Sequence, residues 1–140
     1  MIEPKKAAFK FSKFKVPKFS YDESSNQDVE LSLSFNPSGI YYKSEGRFEL
    51  TVSFIGVEVE ADNKKIIEVQ GLAQFNFSEC IDFSEIPDYF YTNSIPIFFP
   101  YLRSFVSTLT MQANTGVIML GLLNFSSMAK VLVKNTVVVD

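Results

Sequence analysis

The chain of 140 residues predicts an α+β fold: an antiparallel sheet first, helices after it. Two observations carry this. The first half alternates apolar and polar residues with a period of two, the signature of strands with one buried face. The last third repeats its apolar residues at helical spacing.

Each element follows in order. "AFKFSKFKV" places Phe9 and Phe11 on one face, then Phe14 and Val16; the change of parity predicts a bulge between them. "VELSLSF" alternates through Val29, Leu31, Leu33 and Phe35, and "NPSG" (Asn36 to Gly39) reads as a turn. "RFELTVSFIGVEVEA" alternates through Phe48, Leu50, Val52 and Phe54. Its parity changes at Gly56, where a bulge or twist is expected. "ADNKK" makes the next turn, and "IIEVQGLAQFNF" is the fourth strand. Glu49, Thr51 and Ser53 share one face, as do Glu68, Gln70 and Gln74, so the sheet turns one side to water. From Cys80 to Pro96 no period is visible, and a long aromatic-rich loop is expected. Pro100 reads as the first residue of a helix, with Leu102, Phe105, Val106, Leu109 and Ala113 on its apolar face. "NTG" at Asn114 to Gly116 ends it. A second helix follows, with Asn124 as its cap and Phe125, Met128, Ala129 and Leu132 as its stripe. The tail "VKNTVVVD" has no assigned place.

The chain fits a single domain of residues 1–140. Fifteen phenylalanines and six tyrosines exceed what one small core readily hides. With no histidine and only Cys80, Cys/His zinc sites and Ser-His or Cys-His catalysis are excluded. No phosphate-binding loop occurs, and the pair Asp82 and Glu85 reads as exposed loop charge. No enzyme, cofactor or metal site is expected. A net charge of −3 argues against nucleic acid as the main partner. Lys5, Lys6, Lys10, Lys13, Lys15 and Lys18 nonetheless crowd the N-terminus. With no apolar stretch long enough to span a bilayer and no signal peptide, the chain reads as cytoplasmic, without membrane insertion.

At "FFPYLRSFVSTL" and "LNFSSM" the sequence resembles the bacterial protein-export chaperone SecB. Phe99, Pro100, Tyr101 and Arg103 match that family's run opening its long helix, and Asn124 and Phe125 match the segment opening its second. "EVQGLAQFNF" and "KFSYDE" resemble its Glu-Val-Gln strand and an N-terminal stretch. Leu102, Leu122 and Ser126 depart from the pattern, and Lys18 stands at an acidic position of the family. The resemblance implies a four-stranded antiparallel sheet, a long crossover loop and two C-terminal helices, assembled as a homotetramer, a dimer of dimers. It implies an ATP-independent holdase that keeps unfolded preproteins or other non-native clients translocation-competent in aromatic-lined grooves. The groove candidates are Phe75, Phe77, Phe83, Phe90, Tyr91, Ile97, Phe98, Phe99 and Tyr101. Asp22 and Glu68 would contact the translocase ATPase SecA. The weakly polar helix face of Ser104, Ser107, Thr108 and Met111 would lie between subunits. A dedicated chaperone of one partner, such as an antitoxin, is a second reading. A ligand-binding or interaction protein whose rings line a closed pocket is a third.

Overall fold

The computed structural model describes residues 8–25, 30–121 and 123–140; Lys5, Lys6, Val29 and Leu122 of the sequence reading lie outside them. Four long strands come first: β1 (Phe9–Tyr21), β2 (Leu31–Tyr42), β3 (Arg47–Glu58) and β4 (Lys64–Phe77). Helices α1 (Asp88–Ala113) and α2 (Met128–Lys134) follow, and a short β5 (Thr136–Val139) ends the chain. The sheet order is β1-β4-β3-β2-β5.

The bulge expected in β1 is present, since the β1–β4 register shifts between Phe11 and Lys13. Beside Gly56 the β3–β4 register also shifts, but the extra residue is Ile66 of β4, so β3 itself keeps its parity. Strand β3 buries every second residue from Phe48 to Glu58, which is one-sided burial as read from the sequence.

Four expectations are corrected. The sheet has five strands, not four, because the β-branched tail pairs in parallel with β2, from Gly39 opposite Thr136 to Tyr42 opposite Val139. Asn135 secures it: its carbonyl accepts from the Gly39 amide at 3.2 Å, and its side-chain amide donates to Pro37 at 3.0 Å. The "NPSG" stretch is therefore strand, not turn. Pro37 tolerates this because its nitrogen, which has no proton, faces the side where β5 has not yet begun. Gly39 is required there, since a Cβ would sit 2.4 Å from the buried Phe48 ring.

The third correction concerns the long helix, which begins at Asp88 and contains Pro96 and Pro100. Proline removes a helical amide and crowds the carbonyl four residues earlier. Here Thr92, Pro96 and Pro100 all lie on the exposed side, where water can serve the carbonyls left without a donor. The opposite side buries Phe90, Tyr91, Ser94, Ile95, Phe98, Phe99, Leu102 and Val106. Asn114 ends the helix in the left-handed conformation (φ 58°), its amide bonded to the Met111 carbonyl. Fourth, the segment after Cys80 is no long crossover loop but leads within a few residues into α1, which carries the chain from β4 past β3 and β2 to β5. Strand β1 lies beside β4 while β2 lies on the far side of β3, so the β1–β2 connection spans the sheet as well.

Helix α1 covers the inner face of the sheet. Phe90 is the hub, its ring centroid 4.7 Å from Phe48, 5.0 Å from Phe9 and Phe77, 5.4 Å from Phe75 and 5.6 Å from Tyr91. Such contacts each contribute about 0.5–1.5 kcal/mol beyond burial. At Gly71 the helix comes closest, because an added Cβ would stand 2.6 Å from Phe98 Cζ. The Tyr41 hydroxyl donates to the Ile81 carbonyl at 2.6 Å and ties the approach to α1 down onto the sheet. Helix α2 begins at Met128 rather than at Asn124, whose side chain instead accepts from the Ser126 amide in a local turn. Its stripe packs as expected, with Phe125 and Leu132 buried.

Candidate functional site: a groove beside the β1–β2 connection

The residues just before and after the β1–β2 connection, together with the segment following α1, enclose a groove of about 440 Å³. Tyr21 and Ser24 form one side; Leu31, Leu33 and Ile66 form the floor; Thr115 to Leu120 form the other side. Short-range bonds hold both walls. The Tyr21 hydroxyl meets Thr115 Oγ1 at 2.6 Å across the groove. The buried Thr110 hydroxyl donates to the Val106 carbonyl and accepts from the Ile118 amide, both at 2.9 Å, which folds the segment after α1 back onto the helix. On the other wall the Asp22 amide donates to the Ile66 carbonyl at 2.8 Å. Lys64 Nζ reaches the Glu23 carbonyl at 2.9 Å. The Glu58 carboxylate accepts from both the amide and the hydroxyl of Ser25. Those bonds, and Lys64 nearby, hold Glu58 below the usual carboxylate range.

What distinguishes this groove is its rim. Leu120 points inward and is buried, whereas Val117 is 50% exposed and Met119 76% exposed. These two exposed apolar side chains, on either side of the bonded Ile118 amide, edge a groove that Leu31 and Leu33 also line, and they offer flexible hydrophobic contact beside its polar walls.

The sequence-derived groove residues lie elsewhere. Phe75, Phe77, Phe90, Tyr91, Phe98 and Phe99 are buried in the core, because α1 starts early enough to carry its rings onto the sheet. Phe83 is partly buried against that core. Ile97 and Tyr101 are exposed on α1, and the Tyr101 ring sits 4.9 Å from Phe11 and 5.5 Å from Phe14. Tyr101 lines a shallow depression between α1 and β1 with Phe14, Ser104, Phe105, Thr108 and Leu109. Of the helix-face residues, Ser104, Thr108 and Met111 are exposed, while the Ser107 hydroxyl bonds back to Arg103 and Ser104 carbonyls. Phe99 borders a further groove of about 590 Å³ with Pro96, Pro100, Arg103, Leu123 and Phe125.

Asp22 is exposed at the end of β1, and Glu68 lies on the outer sheet face, bonded to Lys65 at 2.8 Å. Asp82 is engaged by Lys43 at 2.9 Å, which holds it below the usual carboxylate range, and Glu85 hydrogen-bonds to it as well. Among the described residues no group of three or more metal-ligating side chains converges, and no helix is long and apolar enough to cross a membrane. The lining residues of this groove that sequence reading did not name as such are Tyr21, Leu31, Leu33, Ile66, Val117 and Met119. For Val117 and Met119 the signal was "VIMLGLL", an apolar run too short for a helix and placed where a solvated connector belongs; the others read only as strand residues.

No family model matches the chain. Its fold is that of a SecB-like chaperone. The chain superimposes on the Mycobacterium tuberculosis SecB-like chaperone Rv1957, solved in complex with a ChAD peptide from the Rv1956 HigA1 antitoxin, with a TM-score of 0.66. The match covers 84% of this chain and 91% of that one at 15% identity. In sequence the chain is similar to an uncharacterized protein of Methanocaldococcus jannaschii, MJ0357, at 28% identity over 91% of this chain and 86% of that protein.

Proposed function

We propose that this protein is a chaperone-like binder of non-native polypeptide segments, working without chemistry of its own. The observation that carries the reading is the apolar rim of the groove, with Val117 and Met119 exposed at the edge of a groove that Leu31 and Leu33 also line. A holdase needs such a surface because it must favour the unfolded over the native state of its client. Met is suited to clients of varied shape. Assembly as a tetramer, with Met111 and Thr108 between subunits, and a cytoplasmic location belong to the same proposal. So does delivery of preproteins for export.

A more restricted role is also supported, as the dedicated chaperone of one partner, because the similar Rv1957 was solved with an antitoxin peptide. A SecA contact through Asp22 and Glu68 has less support, since Lys65 already engages Glu68.

The test is aggregation of a chemically unfolded client on dilution, followed by light scattering. Equimolar protein should delay it, and Met119→Asp should abolish the delay while leaving the melting temperature unchanged. If wild-type protein protects no client, or if Met119→Asp protects equally well, the groove is not the binding surface. Co-purification from the native host separates the two roles, one neighbouring gene product against many preproteins.

A further inference from the structure

The bulges of β1 do more than keep its phenylalanines on the core. Lys10, Lys13, Lys15 and Lys18 are spaced three, two and three residues apart, so in a regular strand they could not share a face. In the β1–β4 register they stand opposite Asn76, Gln74, Leu72 and Gln70, every second residue of β4 on its outer face. The register shifts between Phe11 and Lys13 and between Lys15 and Lys18 supply the extra residues. The result is a straight row of four exposed ammonium groups, about 6–7 Å apart.

Among the described residues none of the four lysines belongs to a salt bridge, and the β4 side chains opposite them are uncharged. The acids closest in register are already engaged. Glu68, opposite Ser20 past the end of the row, is bonded to Lys65 and attracts Lys18 only through space, so the end of the row at Lys18 is partly balanced while Lys10, Lys13 and Lys15 are not. Glu49, one strand beyond Gln74, is held by Arg47. The whole chain carries a net charge of −3, so the row is a local basic feature on an acidic protein.

We propose that the outer face of β1 docks an extended acidic polypeptide segment, its alternate carboxylates engaging Lys10, Lys13, Lys15 and Lys18. The spacing of the row equals the two-residue repeat of an extended chain. Gln70 flanks it with an amide suited to a peptide backbone, while the Gln74 amide donates to Asn76 Oδ1 at 3.2 Å and leaves its own oxygen and the Asn76 NH2 outward. Nucleic acid fits less well: this face of β1 and β4 presents lysines rather than paired arginine forks, and carries no ring for a base to stack on. Edge protection alone does not require the row, since Pro17 and the bulges already spoil β1 for pairing. The row lies on the opposite side of the sheet from the core and the groove, so the docking does not depend on the client-binding reading.

The experiment is a fluorescence-anisotropy titration of a labelled peptide of alternating glutamate and serine into the intact protein at low salt. Parallel arms use an oligothymidylate and anionic phosphatidylglycerol vesicles. Lys13→Gln/Lys15→Gln should weaken peptide binding about four- to twenty-five-fold, at two- to five-fold per exposed pair. Lys130→Gln/Lys134→Gln, matched in net charge, should bind as wild type, and added salt should weaken all binding. The proposal is overturned if the peptide does not bind, if both double variants lose affinity equally, or if the oligonucleotide or vesicles bind more tightly. Unchanged melting temperatures confirm that the exposed substitutions leave the fold intact.

Discussion

Replacing Phe90 by Ala tests the centre of the structure most directly. Phe90 has no exposed surface and touches rings from β1, β3, β4 and its own helix. Truncating a buried Phe costs about 3–5 kcal/mol. The upper half of that range is expected here, because neighbours anchored on separate elements cannot all collapse into the space. Against a total stability of about 5–15 kcal/mol, this removes about a quarter or more. The melting temperature should fall by about 10–20 °C for a chain of this size. Urea titration followed by far-UV circular dichroism, with calorimetry alongside, measures both quantities. If Phe90 lay on a surface loop, the same substitution would cost no more than about 0.5 kcal/mol. A loss below about 1 kcal/mol, or an equal loss from Phe83→Ala, would refute the arrangement around this ring.

Three further outcomes follow from the geometry. Pro100→Ala should raise stability by about 1–3 kcal/mol, since it returns an amide to the helix interior; a decrease in urea titration would put the helix start back at Pro100. Gly71→Ala should cost about 1–3 kcal/mol by driving a Cβ into the buried Phe98 ring. Combining it with Phe98→Leu should restore part of that loss, and strictly additive losses would count against the contact. The folded Glu58 carboxylate has a lowered pKa, so its contribution is full above the unfolded value of about 4.3 and is lost as pH falls through the folded value. The difference in melting temperature between wild type and Glu58→Gln should therefore shrink below about pH 4. A difference independent of pH would mean that Ser25 does not favour the ionised form.

The strands were legible because burial on one face writes itself as alternation, and the β1 bulge showed as a parity change at Phe11–Phe14; the parity change read at Gly56 does not occur, since the extra residue there, Ile66, belongs to β4. The first half of α1 was equally periodic: Phe90 and Tyr91, Ser94 and Ile95, Phe98 and Phe99, then Leu102. Pro96 and Pro100 concealed it, because a proline's cost depends on which side of the helix it faces, and sequence alone does not show that side. The "TVVV" strand was too short to display a period and acquires its role only from the Asn135 bonds to β2. Six of the aromatic groove candidates lie in the core, because aromatic content marks burial as readily as binding, while Ile97 and Tyr101 stay exposed and the groove after α1 is edged by Val117 and Met119.

The order of strands also dictates when the sheet can close. Strand β1 leaves the ribosome first, yet its partner is β4, so Phe9 waits for Phe77. At the other edge β2 is not covered until β5, the last element made, arrives. Only the β2–β3–β4 meander can pair promptly through local turns. During synthesis β1 therefore stays unpaired until β4 emerges, the aromatic face stays uncovered until α1 follows, and the β2 edge stays open until β5 does. The chain passes through the aggregation-prone condition of its own proposed clients.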